Sequence, residues 1–198
     1  MIWDKFKSIE GLEKLRDLYQ QIEMETESFM AEMSLQCPPL CGECCDTPSF
    51  NIEATVFEML LPAIELWEKG EAPAVLDRLA KLPPESRCLL FIPFQEPGSG
   101  KCGMYQNRAL ICRLFGVSGN RDKYRRIRFS PCFRLKRETP AIEIQTQTLI
   151  EQGVNVPLFS NYRQQILGLN PLLAEKLYPI NTALDLALQK TGFYYLYK

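Results

Sequence analysis

The chain has 198 residues, 8 cysteines and no histidine, with 46% apolar and 24% charged side chains and a formal net charge of −1. The missing histidine excludes Ser-His-Asp and Cys-His catalysis, His-x-x-x-His zinc sites and the two-histidine, one-carboxylate iron triad. A chain of this length buries roughly 70% of its unfolded surface without disulfides, and no apolar run approaches about 18 residues, so one domain over residues 1–198 with no membrane contact is expected.

Met1-Ile2-Trp3-Asp4-Lys5-Phe6-Lys7 lacks a signal-peptide core, which points to a cytoplasmic protein whose thiols stay reduced. Leu12, Leu15, Tyr19, Ile22, Phe29 and Met33 recur at spacings of three and four and predict a long amphipathic helix, broken only by Thr26. Such a stripe either lies on the chain's own core or, as three heptads, offers a coiled-coil face to a protein partner. The segment Cys37-Pro-Pro-Leu-Cys41-Gly-Glu-Cys44-Cys45 holds Pro38, Pro39 and Gly42 and reads as a structured loop. Phe57, Leu60, Leu61, Ile64 and Trp67 predict a second helix, opened near Asn51 and kinked at Pro62. Pro73 opens a shorter one with Val75, Leu76, Leu79 and Leu82 on its inner side.

The apolar run Cys88-Leu-Leu-Phe-Ile-Pro-Phe94, the turn-rich residues 96–100 and Lys101-Cys102-Gly-Met-Tyr105 predict one β-hairpin. Asn107 to Phe115 reads as a helical turn or two carrying Cys112 and ended by Gly116. Residues 119–122 read as a loop. Asn170-Pro171 and Asn181-Thr182 look like helix starts, and Lys190 with Gly192 looks like a helix end. Phe193, Tyr194, Tyr195 and Tyr197 then form an aromatic tail expected to dock on the core. The fold expected is mostly α with one small β-hairpin (α+β). Its metal-centred, cysteine-rich core spans 37–135, with helical flanks over 1–36 and 138–198.

The cysteines fall into two quartets, one local (Cys37, Cys41, Cys44, Cys45) and one distributed (Cys88, Cys102, Cys112, Cys132). Four thiolates suit either zinc or an iron–sulfur cluster, and a chain without histidine leans toward the cluster. Phe91, Tyr105, Phe115 and Phe133 neighbour the later cysteines and suggest an apolar shell around the thiolates. Arg108, Arg113 and Arg134 lie close enough in sequence to offset the charge of buried sulfurs. Cys37-x3-Cys41-x2-Cys44 has radical-SAM spacing, but a helix precedes it and no βα series follows. Cys41-Gly-Glu-Cys44 lacks the strand and βαβ context of a thioredoxin motif. A zinc ribbon would need a second close pair, which residues 88, 102, 112 and 132 do not supply.

The Cys37–Cys45 cluster, Cys88-Leu-Leu-Phe, and Lys101-Cys102-Gly-Met-Tyr105-Gln-Asn-Arg108-Ala-Leu-Ile-Cys112-Arg113 together resemble the YkgJ-type cysteine-cluster family, named for a C-x-x-C-x-x-C-C motif. The resemblance covers roughly residues 37–135 and implies chelation of zinc or iron by these cysteines. Some relatives are linked to lysine methylation of flagellin, but nothing in this chain resembles a separate methyltransferase domain, so that activity is not carried over. The chain departs from the pattern at Cys37, three residues before Cys41 instead of two, and at Ala109, where the family has proline.

Charge is strongly polarised: residues 1–70 carry 5 cations against 14 carboxylates, and residues 101–137 carry 11 cations against Asp122 alone. Within the latter, Arg121 to Phe129 interleaves cations with aromatics. That strip is either a wall balancing the thiolates and the acidic N-terminal half or, over 121–137, a nucleic-acid surface. The leading expectation is a cysteine-bound metal centre with all eight cysteines as ligands, Arg108 and Arg113 as neighbouring charges, and Tyr105 in the surrounding wall. The alternatives are a redox carrier or cluster-dependent enzyme, and a zinc-stapled module that binds protein or nucleic acid.

Overall fold

A computed structural model describes residues 2–197. In chain order the elements are α1 (Leu12–Glu32), β1 (Glu53–Thr55), α2 (Val56–Glu68), α3 (Ala72–Leu79), β2 (Phe91–Pro93) and β3 (Gly100–Cys102). Then come α4 (Leu110–Leu114), β4 (Gly119–Arg121), β5 (Ile127–Phe129), α5 (Phe133–Glu138), α6 (Ile142–Glu151), α7 (Phe159–Leu169), α8 (Pro171–Ala174), β6 (Leu177–Pro179) and α9 (Ile180–Tyr197). The α+β class is the expected one: helices dominate, and the strands pair two by two, antiparallel.

The stripe of α1 is buried inside the chain, with Leu12, Leu15, Tyr19, Ile22, Thr26 and Phe29 all turned inward against α4 and α7. Helix α2 begins at Thr55 and not near Asn51. Thr55 and Glu58 form a reciprocal capping box there, and the pair Thr-x-x-Glu is visible in the sequence. Asn51 instead sits in a 3-10 turn, its amide donating to Thr47 at 2.9 Å. Pro62 lies within α2. Helix α3 carries its proline in the first turn, as the sequence predicts.

Helices α2 and α9 form the centre of the main core, where Phe57, Leu60, Ala183, Leu184, Ala187 and Leu188 have no exposed surface. The expected helix end at Lys190 and Gly192 is not one, because α9 runs on to Tyr197. Gly192 is needed for packing: a Cβ there would lie 2.7 Å from the Trp67 ring. Trp67 Nε1 also donates to the Leu188 carbonyl at 3.1 Å, and Tyr195 stacks on its ring at 5.1 Å. The aromatic tail is therefore split. Tyr194 and Tyr195 pack on the core, while Phe193 and Tyr197 are exposed.

The predicted hairpin is present as β2–β3, in the register Phe91↔Cys102 and Pro93↔Gly100. Two further ladders join it. β1 pairs with the distant β6, and β4 pairs with β5, so residues 119–121 are a strand and not a loop. The β4–β5 hairpin covers a second apolar cluster built from Phe29, Phe129, Ile142, Ile150 and Val156. No helix among the described residues is long and apolar enough to cross a membrane.

Candidate metal centre

The cluster loop is stapled to the β2–β3 hairpin by backbone bonds. Gly42 N donates to the Gly98 carbonyl at 2.8 Å, and Gly100 N donates to the Leu40 carbonyl at 2.9 Å, on either side of a Cys41–Ser99 bridge. Its far end is fastened to the segment before Cys88. Ser49 N donates to the Ser86 carbonyl at 2.8 Å, and Arg87 pairs with Asp46. Asn181 then brackets Cys88 itself, its side chain accepting from Leu89 N and donating to the Arg87 carbonyl, both at 2.9 Å. Asn181, read from sequence as a helix start, thus positions a thiol.

Cys112 rides on α4, and α4 is held by two buried charged groups. Glu58 Oε1 accepts from Leu110 N at 2.9 Å and from the Tyr19 hydroxyl at 3.3 Å, while its other oxygen takes the Thr55 backbone and hydroxyl protons. Arg113 donates to the carbonyls of Arg108 and Gln106 and to Glu23, and it lies over the Tyr19 ring at 4.3 Å. A buried charge needs such full pairing, so each group is a fixed brace. Cys132 caps α5, its sulfur accepting from Leu135 N at 3.4 Å. Helix α5 is clasped to the cluster loop by Glu43, which pairs with Arg134 at 3.6 Å and Arg137 at 2.8 Å. Arg134 Nη1 also reaches the Cys41 sulfur at 3.8 Å.

These contacts bring all eight cysteines to two adjoining cavities. One of about 670 Å³ is lined by Cys37, Cys41, Cys44, Cys45, Cys88, Cys102 and Cys112. The other, about 580 Å³, shares five of these and adds Cys132. Mutual electrostatics link thiols of the local and the distributed quartet. Cys45 and Cys112 feel Cys88 and Cys44, and Cys102 feels Cys44, whereas Cys37 feels Cys41, Cys44 and Cys132. Cys44 is common to these neighbourhoods, and Cys37, Cys41, Cys44, Cys45 and Cys112 line both cavities, so the eight thiols form one continuous set.

Burial is the main influence on most of these thiols. It pushes Cys88 up to about 11 and raises Cys102 and Cys112 as well. Cys37 is pushed up to about 11 by burial and then by Cys41. Cys44 goes the other way, lowered to about 7 by the hydrogen bond from Cys45, whose sulfur lies 3.9 Å away. Cys45 is raised by that same contact.

Arg108 and Arg113 both line the larger cavity, as does Tyr105, and Arg108 stacks on the Tyr105 ring at 3.5 Å. The apolar shell expected from sequence is corrected in part. Phe91 is buried, but Tyr105, Phe115 and Phe133 are 52%, 50% and 73% exposed. Those three rings rim the mouths of the cavities because their short elements, a 3-10 turn and the ends of α4 and α5, lie at the surface. Glu23, Glu43 and Glu58 were not singled out by sequence. Only Glu58 left a local signal, the capping box.

The donor set is made of thiols alone, which suits soft, sulfur-seeking metals. All eight cysteines are free. Among the described residues, no three Cys, Asp or Glu side chains converge on one ion-sized point. A family model with the signature CxxCxxCC, described as a "putative zinc- or iron-chelating domain", matches residues 36–139, the span that contains every cysteine. No curated protein and no solved structure matches the chain.

Proposed function

The chain belongs to the CxxCxxCC family, and from that premise we propose that its thiols hold an iron–sulfur cluster, ligated from among Cys44, Cys45, Cys88, Cys102 and Cys112. Carrying this reading is the gathering of seven thiols, these five among them, around one wide cavity. Tetrahedral zinc at roughly 2.3 Å from each sulfur needs its ligands about 3.8 Å apart, and Cys44 and Cys45 stand at 3.9 Å, but no three Cys, Asp or Glu side chains among the described residues converge on one ion-sized point. Thiolates around a polynuclear cluster stand farther apart. Cys37 and Cys41 line the same cavity, and Cys132 lines the adjoining one.

Bound there, a cluster supplies one-electron exchange. The chain's own residues prepare the site. Cys44 is the thiol poised to ionise near neutral pH, and Arg108 lowers the cost of negative sulfur at Cys44, Cys102 and Cys112. The open cavity favours an accessible redox carrier or cluster-dependent enzyme over a closed structural staple.

Purification without oxygen, followed by iron, zinc and sulfide assay and a visible spectrum, tests the reading. Brown protein with matching iron and labile sulfide is expected, and Cys44→Ser or Cys112→Ser should lose most of both. Colourless protein with stoichiometric zinc overturns the cluster and supports a zinc-stapled module.

A further inference from the structure

The cations of residues 121–128 do not serve the thiols. The guanidinium groups lining the cysteine cavities belong to Arg108, Arg113, Arg134 and Arg137. Arg108 and Arg113 also meet the acidic N-terminal helix, at Glu23. Among the described residues, the ion pairs of the β4–β5 hairpin go only to its own Asp122 and to Glu151 of α6. The reading of this strip as a balancing wall therefore finds no contact to support it.

Asp122 builds the tip. Its Oδ1 accepts from Tyr124 N at 2.8 Å and Arg126 N at 2.9 Å, and its Oδ2 accepts from Arg126 Nε at 3.0 Å and Arg128 Nε at 3.3 Å. Arg125 takes the left-handed conformation, φ 63°, to close the turn. That frame leaves Tyr124 65% exposed, with Lys123 Nζ and the Arg126 guanidinium each 4.9 Å from its ring centroid. The root of the hairpin is rigid. Phe129 is buried against Phe29, and the Gln147 amide bonds both Phe129 N and the Ile127 carbonyl at 3.0 Å. An exposed aromatic flanked by cations on a fixed ribbon adds nothing to the core, but it matches what an unpaired base and its phosphates require.

We propose that the β4–β5 tip binds single-stranded nucleic acid, with Lys123, Arg125, Arg126 and Arg128 on phosphates and Tyr124 stacking a base. Arg126 and Arg128 converge on Asp122 Oδ2 and so present one joint cationic site beside Tyr124. Stacking on Tyr124 needs a base free of its partner strand, which selects single strands over duplex.

The test titrates the full-length, metal-loaded protein into labelled oligouridylate and oligothymidylate of about 15 nucleotides at about 50 mM salt, reading anisotropy, with duplex and polyaspartate as comparators. Expected is preference for single strands and a log–log salt slope of about −2 to −3, at about −0.7 per phosphate neutralised. Tyr124→Ala should weaken binding about tenfold and Tyr124→Phe should retain it. Paired Lys123→Glu and Arg125→Glu should abolish binding, with metal content unchanged because neither side chain reaches the cysteines. Binding of either oligomer supports the platform, and the tighter one identifies its source. No binding at low salt overturns it. So does equal binding of duplex with no loss in Tyr124→Ala, or polyaspartate binding as tight as the oligomers.

Discussion

Ala109 caps α4 with φ −63° and ψ 161°, and Arg108 before it has φ −62° and ψ 147°. These are the angles proline and its preceding residue adopt. The Ala109 N–H makes no hydrogen bond among the described residues. The turn therefore has a proline-ready shape, held by Glu58 on Leu110 N and by Arg113 on the Arg108 carbonyl. Ala109→Pro should stabilise the protein by about 0.5–1 kcal/mol, chiefly by restricting the unfolded chain. A urea midpoint that rises at constant m and constant metal content is the expected outcome; a falling midpoint would show that the buried wall at Ala109 has no room for the ring.

At the scale of elements, the cluster loop owes its place to the hairpin. Gly100 sits where Phe91 closes over the junction, and a Cβ on it would lie 2.5 Å from the ring and 2.6 Å from the Ile92 carbonyl oxygen. Gly100→Ala should push the loop and hairpin apart, cost more than about 1 kcal/mol, and lower bound metal by moving Cys41 and Cys44 away from Cys102. Thermal denaturation and metal assay on one preparation check both effects, and loss of stability with full metal retention would separate the staple from the centre. The cysteine set, the α1 stripe and the β2–β3 hairpin were readable because each has a local pattern. The way the thiols are brought together was not, since it depends on bonds from residues 40–49 to residues 86–100, and on Asn181 and Glu43, none of which has a short-range signature. β1–β6 pairs three residues with three others more than a hundred positions away. β4 is Gly-Asn-Arg, residues of turns more than of strands, so the two apolar residues of β5 had no visible partner, and Gly192 looks like a cap until Trp67 is known to lie against it.

At the scale of the whole molecule, metal and fold are coupled through protons. In the metal-free protein Cys88 and Cys37 hold their protons up to about pH 11, while Cys44 gives its proton up near 7. Unfolded thiols ionise near about 8.5. Between about pH 9 and 11 the unfolded metal-free chain therefore carries fewer thiol protons than the folded one, and stability must fall as pH rises. With metal bound the ligand sulfurs carry none, so from pH 7 to about 9 the unfolded chain holds more protons and stability must rise. The two forms should thus show opposite trends. The melting temperature of the loaded protein should climb from pH 7 to 9 and then level, with metal released as acid protonates the sulfurs. That of the metal-free protein should decline from 9 to 11. Parallel melting curves across this range would mean that the buried thiols are not where metal binds.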